Sequence, residues 1–134
     1  MFSPSPEQID NATILLRRAE GDLEACRVLA DNTNIDDNVV GFHAQQAVEK
    51  ALKVALVLAD SELPRTHDIE LLVDRVNEAG TKTPDELSDM EWLTPWGAEL
   101  RYDEPIALDR SAALAAAKSA SGWAAVLLAD AHRT

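Results

Sequence analysis

The stretch Gly41–Val57, GFHAQQAVEKALKVALV, constrains the fold more than any other. Its apolar residues recur at helical spacing, so it reads as one helix. After Lys53 the run Val54, Ala55, Leu56, Val57, Leu58 has no polar side. A helix that is apolar all round is enclosed all round. This one therefore lies either at the centre of a bundle or against a second subunit, and the other helices have to supply its surroundings.

The rest of the chain provides them. Ser5 with Pro6 and Gln8 forms a capping-box start. Ile9, Ala12, Leu16, Ala19, Leu23, Cys26 and Ala30 then alternate at spacings of three and four, predicting a first helix to about Asp31. Asn34 is the expected N-cap of the second helix, which runs to about Asp60 before Pro64 breaks the pattern. Thr66 is the expected cap of a third helix with Ile69, Leu72, Val73 and Val76 inward and a stop at Ala79-Gly80. Thr83, Pro84 and Glu86 repeat the capping pattern ahead of a short fourth helix that turns Leu87 and Met90 inward and is interrupted at Thr94-Pro95. Trp96 and Leu100, four apart, suggest a further turn or two. A last helix is expected over about Ile106–Ala131, with Pro105 in its first turn and an alanine-rich stripe ending in Trp123, Ala124, Leu127 and Ala131. Long helices joined by short loops make an all-α, up-and-down bundle of four to five helices, one domain over residues 1–134.

Composition narrows the function. A formal charge of -12 gives an acidic surface that repels a phosphate backbone at most approaches. No polybasic arm is present. The longest apolar run, Ala51–Ala59, is interrupted by Lys53 and too short to span a membrane. A lone cysteine and no signal peptide point to the cytoplasm. There is no P-loop, GxGxxG, CxxC or HExxH pattern, and the three histidines stand far apart, so no metal site and no cofactor are expected. Cys26 lies on the apolar seam and reads as core.

On a helical wheel His43, Gln46, Glu49, Lys50 and Lys53 share roughly a third of the second helix's circumference. The plain reading is a solvated face with a four-apart Glu49–Lys53 pair worth a few tenths of a kcal/mol. Imidazole, amide and ammonium groups are also donors suited to an anion or a base edge. His43 could instead bond across the bundle, and Gln45 and Gln46 could bridge helices.

At these residues FHAQQAVEKALKVALV resembles the signature helix of HEPN domains. RTHDIELLV, Arg65–Val73, is similar to that family's Thr-His-Asp helix start, and LRYDEP, Leu100–Pro105, to its Arg-Tyr segment before the last helix. The resemblance implies a small helical bundle, commonly a homodimer, often paired with a minimal nucleotidyltransferase in a toxin–antitoxin type system. It also implies a nucleotide- or RNA-facing site drawn from His43, Gln46, Lys50, Arg65, His67, Arg101 and Tyr102. Ribonuclease members carry an arginine followed after four to six residues by histidine. Here neither His43 nor His67 has an arginine at that distance, and Arg65 precedes His67 by two. The expectation is a binding component rather than an enzyme, with no assigned catalytic residue. A ligand-free interaction module and a ribonuclease with a divergent site are the alternatives.

Overall fold

The computed structural model describes residues 3–97 and 107–133. Its elements are α1 (Pro6–Ala30), α2 (Asp37–Leu58), α3 (Ile69–Glu78), the single turn α4 (Asp85–Ser88), a 3₁₀ segment (Met90–Gly97) and α5 (Arg110–His132). The three long helices α1, α2 and α5 pack on one another, and α3 and the 3₁₀ segment close the remaining side of α2. The described residues are thus all helical or loop, arranged as the expected bundle.

Helix α2 occupies the centre. Val40, Ala44, Ala47, Val48, Ala51, Leu52, Val54 and Leu56 are fully buried. The periodicity of α1 is realised as predicted, with Ala12, Leu16, Ala19 and Cys26 inward. Cys26 is a core residue, and burial pushes its thiol above the usual range. On α5 the alanine stripe Ala113, Ala116, Ala117, Ala120 and Ala124 is buried, with Leu128 buried beyond it and Trp123 and Leu127 half-buried against the core. Among the described residues α5 is the one helix long and apolar enough to cross a membrane by composition. Looking for uninterrupted apolar runs overlooked it. Its alanine face is core against α1 and α2.

Several boundaries differ from the expectation, each because a side chain is used elsewhere. The N-cap of α2 is Asp36, not Asn34, and Asp37 accepts from Leu108 N at 3.1 Å and Arg110 Nε at 2.7 Å. Helix α2 stops at Leu58 because Asp60 adopts φ 58 and Ser61 N donates back to the Leu56 carbonyl, a left-handed helix ending. Asp68 caps α3 by accepting from Leu71 N, while the Thr66 hydroxyl accepts from Asp68 N. Thr94 Oγ1 takes the next amide, that of Ile69. Thr83 is buried and bonded to Asn77, which leaves Pro84 as the cap of α4. Thr94-Pro95 does not interrupt a helix, since the 3₁₀ segment runs through both. Helix α5 starts at Arg110, capped by Asp109, so its first turn lies beyond Pro105. Pro105 and Leu100 are outside the described residues.

Two glycines set how closely the 3₁₀ segment approaches α2. A Cβ on Gly41 would lie 2.1 Å from Trp96 Cδ1, and one on Gly97 would lie 2.8 Å from Gln45 Cδ. The Trp96 indole therefore rests on the bare backbone of α2. Gly41→Ala should lower the unfolding free energy by about 1–3 kcal/mol through overpacking. The same exchange in an unobstructed helix interior would raise it by roughly 1 kcal/mol. Urea unfolding reads the sign directly, and an increase in stability would show that Trp96 does not occupy this site.

Candidate functional site

Most polar residues of α2 form two hydrogen-bonded clusters, each partly shielded from solvent rather than fully solvated. In the first, Asp22 reaches over from α1. Its Oδ1 lies 2.9 Å from His43 Nδ1 and its Oδ2 accepts from Lys50 Nζ. All three side chains are largely shielded. Asp22 belongs here because it follows Ala19 by three and precedes Cys26 by four, which places it on the edge of the α1 seam. That position was the available signal for it, and the sequence reading did not use it.

The second cluster centres on Glu49, only 4% exposed. Glu49 Oε1 accepts from Gln45 Nε2 at 3.2 Å and faces His67 Nδ1 at 2.7 Å. Oε2 accepts from Lys53 Nζ at 2.9 Å. Gln45, fully buried, also donates to the His67 carbonyl at 2.8 Å and accepts from Gln46 Nε2 at 2.7 Å. Burial alone would raise the Glu49 carboxyl. The bonds from Lys53, His67 and Gln45 outweigh it and hold the group below the usual carboxylate range. The Glu49–Lys53 pair is thus not the surface pair that the helical wheel suggested.

A carboxylate only accepts, so the proton between His67 and Glu49 resides on Nδ1. Two contacts to buried groups, one to its ring and one to its carbonyl, therefore fix His67, while the ring stays half-exposed. His43 is likewise held by Asp22 and packs edge-on against Phe42, with ring centroids 5.6 Å apart. Arg65 is exposed on the same loop as His67, with no ion-pair partner among the described residues. Of the seven anticipated residues, the structure assembles His43, Gln46, Lys50 and His67 around Glu49 of α2 and Asp22 of α1. Arg101 and Tyr102 lie outside the described residues.

Trp96 serves as an anchor, and Trp123 is half-buried against the core. Trp96 is buried and Trp92 stands edge-on to it, centroids 6.3 Å apart.

Because its folded-state carboxyl titrates below the unfolded value, Glu49 contributes stability above the unfolded pKa. That stability is lost as pH falls through the depressed folded value. Glu49→Gln should therefore cost about 1–3 kcal/mol at neutral pH and should converge with the parent in acid. Denaturant midpoints from neutral pH down to about pH 3, well below the unfolded glutamate value, test this. A constant gap across that range would contradict it.

Residues 12–123 match the HEPN domain family. Over 50 residues, 37% of this chain, the sequence is 44% identical to a Methanocaldococcus jannaschii protein called "Putative toxin MJ1304". That match takes in 32% of the relative, so the chain spans about a third of the length of the curated protein it resembles. No solved structure matches. With the family match extending over most of its length, and with the helical bundle that the signature helix implied, this chain belongs to the HEPN domain family.

Proposed function

We propose that this protein is the HEPN component of a two-part, toxin–antitoxin type system. It would act with a minimal nucleotidyltransferase and meet a nucleotide or RNA at the polar side of α2. The observation that carries the reading is the family match over residues 12–123, supported by the toxin name of the partial relative. The geometry is in keeping with it. Lys50, Lys53, Arg65 and two positioned imidazoles lie along α2 and the loop before α3, a concentration of donors in a chain of net charge -12. Asp68, which follows His67 in that loop, is engaged with the α3 N-terminus. A homodimer in the cytoplasm is part of the same proposal.

A second reading, a ligand-free interaction module, draws on the same contacts seen from the other side. Asp22 already holds His43 and Lys50, and Glu49 already holds Lys53 and His67. An incoming phosphate has to compete with carboxylates for these donors.

Isothermal calorimetry with ATP and AMP separates the two. The nucleotide reading expects measurable binding by the parent, weakened about tenfold or more by Lys50→Ala. Arg65→Ala, which removes an exposed cation and no described contact, should weaken it without loss of fold. Negligible heat for all three proteins would leave the interaction module. Incubation with a tRNA pool covers the divergent-ribonuclease alternative, where cleavage abolished by His43→Ala or His67→Ala would favour an enzyme.

A further inference from the structure

A second surface lies away from these clusters. A groove of about 330 Å³ runs between α4, the start of the 3₁₀ segment and α5. Its floor is Met90, Trp92 and three alanines at the edge of the buried α5 stripe, Ala112, Ala115 and Ala116, with Ser119 beside them. Its rim carries Glu86 and Asp89, and among the described residues no basic side chain lines it. Trp92 is 38% exposed although its neighbour Trp96 is buried. The concavity follows from the sequence of α5, because alanine side chains leave space beside a bulky indole.

Acidic groups also crowd the neighbouring surface shared by α3 and the 3₁₀ segment. Glu91, between Met90 and Trp92 in the chain, lies against Glu70 of α3. Their repulsion pushes the Glu70 carboxyl above its usual range, with Asp68 and Asp74 adding to it. Like charges held together on a surface cost stability unless a cation compensates them. Exposed aromatic floors with charged rims are also characteristic of protein docking sites.

We propose that this groove docks a basic, amphipathic segment of a partner protein. Apolar side chains of that segment would sit over Trp92 and the α5 alanines, with lysine or arginine against Glu86 and Asp89. The helix-in-groove mode needs only this combination of apolar floor and complementary rim. The proposal is independent of which ligand, if any, the α2 clusters take.

The test uses the full chain and a synthetic helical peptide of leucine and lysine, with leucine at positions one, four, five and eight of its repeat. Binding is followed by calorimetry and tryptophan fluorescence. A matched peptide with glutamate for lysine serves as a control. Because a chain of net charge -12 attracts any cation, two charge reversals are compared. Glu86→Lys with Asp89→Lys alters the rim, and Asp10→Lys with Glu20→Lys makes the same change on exposed α1 positions. Ala115→Gln obstructs the floor without changing charge. The expected result is binding of the lysine peptide, weakened about tenfold or more by the rim pair and by Ala115→Gln, and less than about threefold by the α1 pair. The proposal is overturned if the parent shows no binding up to about 1 mM peptide. Equal weakening by both charge reversals, parent-like binding by Ala115→Gln, or equal affinity for the glutamate peptide would also overturn it.

Discussion

A helix with no solvent side has to satisfy every polar group it carries from within the protein, because a buried donor or acceptor left alone costs more than most contacts return. Helix α2 is enclosed by α1, α5, α3 and the 3₁₀ segment, yet it carries Gln45 and Glu49 in its buried part. The resolution is a closed network in which Glu49 accepts from Gln45, Lys53 and His67 while Gln45 secures the His67 carbonyl. Much of the remaining geometry depends on it. The loop before α3 is tied to α2 at His67, and the 3₁₀ segment approaches closely enough for Gly97 to rest on the Gln45 side chain.

The other end of the bundle is joined by a comparable device. Arg110, the first residue of α5, pairs with Asp37 at the start of α2 and donates to the carbonyls of Leu29, Ala30, Asn32 and Ile35. One guanidinium thereby satisfies the C-terminal carbonyls of α1 and fixes the α1–α2 turn, a use suited to its planar fork of donors. The bond from Arg110, reinforced by that from the Leu108 amide, holds the Asp37 carboxyl below its usual range. The three long helices are thus joined at one end by an arginine, while Asp22 links α1 to α2 and Glu49 ties the loop before α3 to α2.

These contacts bear on function in a specific way. The HEPN signature helix presents donors, and in this chain its His43 and the loop residue His67 are each oriented by a carboxylate on Nδ1. Orientation of that kind serves a loop tether and a ligand site equally well, so the polar face alone does not rank the two readings. The groove beside Trp92 has a different character, being apolar and acid-rimmed where the α2 clusters are rich in donors. The molecule therefore offers two chemically distinct faces.

The sequence by itself determined the bundle. Helical periodicity, capping boxes and the all-round apolar end of α2 are local signals, and they placed the long helices and the buried seams of α1 and α2 correctly. It also determined the family, because FHAQQAVEK and RTH are contiguous motifs. Where capping side chains were drawn into other contacts, at Asn34, Thr66 and Thr83, local rules misplaced the boundaries. Only the tertiary structure decided which polar residues meet. Asp22 and His43 are 21 residues apart, Glu49 and His67 are 18 apart, and Arg110 reaches Asp37 across 73. A helical wheel orders the residues of one helix around its axis but does not contain the neighbours that enclose it. That is why a face that reads as wet is, at Glu49, part of the interior.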